Sequence, residues 1–189
     1  MGMLSKQKIV AVFERLAAIN PEPKGELDHV NPYTLLVAVV LSAQATDKGV
    51  NKATAALFKR VTTPQQMLDL GEPGLIEHIK TIGLFRAKAK NVISLSQSLI
   101  DRFGGKVPKT RDELESLAGV GRKTANVVLS MAFGVPTIAV DTHVFRVSQR
   151  LGLAKGKTPN AIEEQLEKVI PAKFMQHAHH WLILHGRYT

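Results

Sequence analysis

Between Tyr33 and Ala43 the chain is apolar on nearly every side, with no polar stripe to turn toward water. Its longest apolar run, Leu35 to Leu41, is far short of the roughly 20 residues that a bilayer span needs. Such a segment reads as a helix at the centre of a fold, wrapped by other elements. The rest of the chain supplies wrappers of the same type. Ile9, Val12, Phe13, Leu16 and Ile19 repeat at three and four, the apolar stripe of an amphipathic helix. Thr63-Pro64-Gln65-Gln66 is a cap, a proline at the first helical position and a glutamine at the third. Thr110-Arg111-Asp112-Glu113 is a capping box of the same type. Ala161 to Ile170 is a further helix, stopped by Pro171. Clean period-two alternation is almost absent, and no repeat or low-complexity tract appears. The expected fold class is all-α.

Pro21 to His29 is a polar, proline-punctuated linker, and Gly134-Val135-Pro136 breaks the chain again. These breaks predict a contiguous helical domain between them, with the first helix packed against the C-terminal third. Hydrophobic residues at 44% and charged residues at 22% suit a globular chain. The 189 residues include no cysteine, which excludes a disulfide scaffold, a thiol nucleophile and a cysteine-ligated metal within them. Lys6 and Lys8 are not followed by the apolar stretch and cleavage site of a secretory signal. A cytoplasmic protein with no membrane contact is expected.

Charge says more. Lys and Arg number 25 against 16 acids, a net charge of +9. Between Lys80 and Lys123 stand ten basic residues, Lys88 among them, against four acids, and Thr142 to Ile162 holds four basic residues and no acid. A basic surface of this kind attracts a polyanion, most commonly nucleic acid. A basic protein with no such partner is the alternative.

The chemistry concentrates in Leu117-Ala118-Gly119-Val120-Gly121-Arg122-Lys123-Thr124-Ala125. One helix ends there, two glycines make a tight turn, and a second helix runs from about Arg122 to Phe133. Glycines let the backbone approach a partner closely with its N–H groups outward, and a helix N-terminus adds donors and partial positive charge. That arrangement favours a phosphate. Arg122 and Lys123 occupy a first turn, where the macrodipole disfavours each cation by about 0.3–1 kcal/mol. A local rule broken in this way often marks a functional site. Either the cations meet phosphates, or the field leaves a neutral amine available as a nucleophile. A solvated charge pair is the bland alternative. A second segment, Val140-Asp141-Thr142-His143-Val144, makes Asp141 the N-cap of a helix whose apolar face is Val144, Val147 and Leu151.

Leu117 to Ala125 followed by Val140-Asp141-Thr142-His143 resembles the helix-hairpin-helix DNA glycosylases, and among them the bacterial endonuclease III family. Leu41-Ser42-Ala43-Gln44-Ala45-Thr46-Asp47, Thr81-Ile82-Gly83-Leu84 and His179-His180-Trp181 through Tyr188 fit that family's pattern in the same order. The resemblance implies two helical domains with a DNA-binding cleft between them. One is a six-helix domain over residues 24–135, containing the hairpin at about 110–133. The other combines 1–23 with 136–189 and lacks the family's C-terminal iron–sulfur segment.

It further implies a bifunctional DNA glycosylase and AP lyase that removes oxidised pyrimidines from duplex DNA, through a lysine Schiff base and β-elimination. Lys123 and Asp141 are the implied catalytic residues. Gln44, Leu84, Gly119, Gly121, Arg122 and Thr124 are the implied DNA contacts, Gln44 and Leu84 as wedges. Asp47 and His143 would line the lesion pocket. The implied partner is duplex DNA bearing damaged pyrimidines or abasic sites, met by a monomer in the bacterial cytoplasm at the nucleoid. A monovalent cation in the hairpin is implied too. The family's four-iron four-sulfur cluster is implied as well, but its cysteine ligands are absent here, so no metal ligand is assigned. Ala118 stands where the family usually has proline, which predicts a floppier turn. His177, His179, His180 and His185 do not share one helical face, so a histidine metal site is not expected. Without the iron–sulfur segment, Trp181, Leu182 and Leu184 are expected to leave apolar surface exposed. Two rivals stand beside this reading: a non-catalytic helix-hairpin-helix DNA-binding module, and a related glycosylase with another base preference.

Overall fold

The computed structural model describes residues 2–189, and every regular element among them is a helix. In chain order these are α1 (Lys6–Ile19), α2 (Pro32–Leu41), α3 (Asp47–Arg60), α4 (Pro64–Ile79), α5 (Phe85–Phe103), α6 (Arg111–Glu115), α7 (Arg122–Phe133), α8 (Thr142–Arg150), α9 (Pro159–Val169) and α10 (Ala172–Tyr188). None is long and apolar enough to cross a membrane. The helices fall into two compact units. One is Glu26–Phe133; the other joins the residues up to Gly25 with Gly134–Thr189.

The first unit is built around α2, buried from Tyr33 to Leu41 and packed against α3, α5 and α7. Its start is locally encoded. The Asn31 side chain accepts from the Thr34 amide at 2.8 Å, the Thr34 hydroxyl oxygen accepts from the Asn31 amide at 3.0 Å, and Pro32 sits where no N–H is needed. Thr63 caps α4 by accepting from the Gln66 amide at 3.2 Å. Inside α4 the chain kinks at Gly71 (φ 76°, ψ 166°) just before Pro73, a backbone that glycine adopts without penalty. Lys88, counted above within a solvated basic face, is instead buried at 5% exposure.

In the second unit α1 packs against α10. Phe13, Phe174 and Trp181 form a cluster with ring centroids 5.7, 6.3 and 6.1 Å apart, and the Trp181 indole N–H donates to the Asn20 carbonyl at 2.7 Å. Trp181 and Leu182 are therefore buried, contrary to the exposure expected from the sequence. The stripe that carries them faces α1 within their own unit. Leu184 is half-buried.

His180 carries a testable consequence of this packing. Its Nδ1 is buried without a hydrogen bond among the described residues. Burial first, then the charges of His179 and His177, push the imidazole down from 6.5 to about 4. Between those values the unfolded chain binds the proton more readily than the folded one. The stabilising contribution is complete above pH 6.5 and is lost as pH falls toward 4, at a cost on the order of 2–3 kcal/mol. Urea midpoints measured from pH 7 to pH 4 should fall through that window. In His180→Phe the decline should be much shallower; an unchanged decline would assign it to other groups.

Candidate functional site

Thr110 caps α6 by accepting from the Glu113 amide at 3.3 Å, and its hydroxyl donates to the Glu113 carboxylate at 2.6 Å. The chain then turns tightly. The Leu117 amide donates to the Leu114 carbonyl at 3.1 Å and the Val120 amide to the Leu117 carbonyl at 3.2 Å. Gly119 has φ 77°, a conformation costly to any residue with a Cβ. The Gly121 carbonyl accepts from the Ala125 amide at 2.9 Å and so opens α7. Arg111 Nε donates to the Asn126 side-chain oxygen at 2.9 Å, tying α6 to α7 through a fully buried amide.

The two glycines differ in what surrounds them. A Cβ on Gly119 would stand 3.0 Å from the Asn91 side chain of α5, whereas one on Gly121 would meet nothing within 4 Å. Gly119 is thus buttressed from behind, and Gly121 opens on free space. Beyond it Lys123 is exposed, with Arg122 and Thr124 half-buried. The first-turn amides of α7 lie beyond reach of intrahelical carbonyls, as at any helix start. One short segment therefore presents main-chain donors and the exposed Lys123 amine beside open space.

Gln44 and Leu84 belong to the same unit, and both are exposed. They are the non-glycine residues with positive φ, 55° and 59°, a strain of about 1–3 kcal/mol each that surrounding structure must hold in place. Leu84, 63% exposed, is the N-cap of α5 and supplies no side-chain cap. Asp47 opens α3 after the Thr46 cap and is half-buried.

Asp141 and His143 lie in the other unit. Asp141 caps α8, its Oδ1 accepting from the Val144 amide at 2.8 Å. Its second oxygen carries no hydrogen bond among the described residues. The approach to Asp141 is held by His179, whose ring nitrogen Nδ1 donates to the Ala139 carbonyl at 2.8 Å. His143 is half-buried beside Gly186, where a Cβ would stand 3.1 Å from its own. The Asn91 and His179 contacts escaped the sequence reading, since no spacing rule links these residues to Gly119 and Ala139, and the burial of Lys88 escaped it because a charge count carries no packing. Among the described residues no group of three or more His, Cys, Asp or Glu could hold a metal ion.

Among the described residues every regular element is a helix, and a tight turn carrying Gly119 and Gly121 joins α6 to α7 in a helix-hairpin-helix arrangement. The model of the HhH-GPD superfamily base excision DNA repair proteins matches residues 37–172. Endonuclease III of Treponema pallidum (strain Nichols) is 59% identical over 189 residues, covering 100% of this chain and 90% of the relative. Endonuclease III of Escherichia coli (strain K12) is 54% identical over 186 residues, covering 98% and 88%. A solved structure described as a trapped endonuclease III–DNA covalent intermediate, an estranged-adenine complex, superposes with a TM-score of 0.90. It is 49% identical and covers 98% of this chain and 88% of its own. The chain belongs to the HhH-GPD superfamily of base excision DNA repair proteins and, within it, to the endonuclease III family.

Proposed function

We propose that Lys123 and Asp141 carry the DNA glycosylase and AP lyase activity that this chain has as a member of the endonuclease III family. The observation behind the assignment is the placement of Lys123. It is exposed, in the first turn of α7, two residues beyond a glycine that opens on free space. The substrate is duplex DNA carrying an oxidised pyrimidine, turned out of the stack at a few kcal/mol, least for a damaged base.

The neutral Lys123 amine attacks C1′ of that nucleotide. The glycosidic bond breaks, and its electron pair leaves with the base, which takes up a proton. The nitrogen gives up one proton, the C1′–O4′ bond breaks with O4′ taking up a proton, and the opened sugar is left as an iminium between Nζ and C1′. Loss of a proton from C2′ then expels the 3′ phosphate by cleavage of the C3′–O3′ bond, cutting the strand 3′ to the lesion. Water adds to the iminium and frees the lysine. Asp141, with one oxygen committed to its cap and the other uncommitted, assists deprotonation of the nucleophile and stabilises positive charge on the sugar.

Gly119, Gly121, Arg122 and Thr124 seat backbone phosphates. Gln44 and Leu84 fill the gap left in the duplex, and Asp47 and His143 meet the lesion. The carbonyls of Ala118 and Val120 accept no hydrogen bond among the described residues. They suit a monovalent cation, which would add charge beside a phosphate and take no part in bond making. A four-iron four-sulfur cluster is held by thiolates; without cysteine the residues present do not fit one, and no step above uses it. Binding to DNA would localise the protein to the nucleoid.

A duplex with one thymine glycol tests the reading. The expected result is a nick 3′ to the lesion and, with borohydride, a covalent protein–DNA adduct. Tight binding with neither product, across several oxidised pyrimidines, would leave a DNA-binding module. The hairpin makes a prediction of its own. Gly121→Ala should keep its melting temperature, since the added methyl meets nothing, yet bind duplex DNA several-fold more weakly. Gly119→Ala should melt lower, losing about 1–3 kcal/mol to positive φ and the Asn91 contact. Equal DNA affinity in Gly121→Ala and wild type would remove Gly121 from the phosphate seat.

A further inference from the structure

Lys88 stands apart from the other basic residues of the chain. Only 5% of it is exposed, and its Nζ is buried without a hydrogen-bond partner among the described residues. A buried cation is normally paired, because water is lost from around it and nothing replaces its hydration. Here burial holds the ammonium below the ordinary lysine range. The group is poorly served where it lies.

Its place on α5 makes the arrangement stranger. Lys88 closes the first turn, its amide donating to the Leu84 carbonyl at 3.0 Å. That helix start has no side-chain cap and no acidic residue in its first turn, although carboxylates there are the common way to satisfy the orphan amides. Helical side chains lean toward the N-terminus over the preceding turn, which directs the Lys88 stem toward the uncapped start of α5. Arg86 and Lys90 are exposed on either side. One turn further on, Asn91 backs the Gly119 turn of the hairpin and makes no hydrogen bond with its side chain. Uncapped amides, the buried Lys88 cation and an unpaired amide thus lie along one helix start beside the hairpin, next to the strained and exposed Leu84.

We propose that the N-terminus of α5 is a second phosphodiester seat, distinct from the hairpin, in which the Lys88 ammonium and the first-turn amides hold one phosphate of duplex DNA. The lysine stem is long enough to swing its ammonium onto a phosphate brought to the open helix end. An anion there answers three unfavourable features together: orphan amides, a cation at the positive end of a helix, and a buried charge without a partner. The chain keeps an ammonium where a methionine would be more comfortable, as binding sites do at the expense of stability.

The proposal rests on the reading of the chain as a DNA-binding glycosylase, and the experiment separates the two. Affinity for a lesion-free duplex is measured from low to moderate salt for wild type, Lys88→Met and Lys88→Gln. Wild type should show a log–log slope of about −3 to −5, with roughly 0.9 contributed by each neutralised phosphate. Both variants should bind several-fold more weakly, with the slope shallower by about 0.9, while Lys88→Met melts no lower than wild type. Wild-type slope and affinity in both variants, whatever their melting temperatures, overturn the seat and leave Lys88 a core residue. Wild type with no affinity for duplex DNA overturns the parent reading, and the seat with it.

Discussion

Lys123→Ala will still bind lesion-bearing duplex, but it will form no borohydride-stable adduct, and base release and nicking will both fall by about 10⁴-fold or more. The size follows from the proposed role of Lys123 as the nucleophile. Without the amine no bond to C1′ forms, so neither the glycosylase nor the lyase step has a beginning. The fold has no reason to suffer. Lys123 is exposed and makes no hydrogen bond or ion pair among the described residues. Removing a cation from a first turn relieves about 0.3–1 kcal/mol, and alanine is the better helix former. The melting temperature should hold or rise, so lost activity cannot be read as unfolding. Gly119, Gly121, Arg122 and the α7 amides remain, and most of the DNA affinity should remain with them. The measurement is a gel that resolves free, nicked and cross-linked duplex over a time course. An adduct that persists in Lys123→Ala would move the nucleophile to another amine and dissolve the assignment.

How much of this was legible in the chain depends on how local each feature is. The caps at Thr63, Thr110 and Asp141 were readable because a cap and the amide it binds are three residues apart. The central helix was readable because an element apolar on every side has only one place to go. The all-helical class followed from such local signals, and the hairpin from two glycines and the cations after them. The sequence could not announce the positive φ of Gln44 and Leu84, since ordinary residues hold that conformation only under tertiary constraint. Lys88 misled for a related reason. A charge count treats each lysine as solvated, and only the packing of α5 shows this one buried. Asn91 reaches Gly119, and His179 reaches Ala139, across stretches of chain in which no spacing rule operates. Trp181 and Leu182 reversed the expectation placed on them because α1, from the far end of the chain, packs on α10 in their unit.

Asp141→Asn should slow the reaction by about 10²–10⁴-fold, the usual worth of a positioned acid–base group, and leave the fold intact. Under the proposed assignment Asp141 has two duties, a helix cap and an acid–base group, and the asparagine separates them. As a cap it accepts the Val144 amide through Oδ1 at 2.8 Å, with extended backbone at φ −88° and ψ −175°. Asparagine offers an oxygen in the same place and caps as well as aspartate. The Ala139 carbonyl, held by His179, is unaffected by the exchange. What disappears is the negative charge and the ability to accept a proton. Asp141→Ala removes both duties and should in addition lose about 1 kcal/mol of stability with the cap. Single-turnover rates on the thymine-glycol duplex, set beside the melting temperatures of both variants, distinguish the two contributions. If the Asp141→Asn rate lies within about threefold of wild type while Asp141→Ala melts lower, the carboxylate is a helix cap and the proton must go elsewhere.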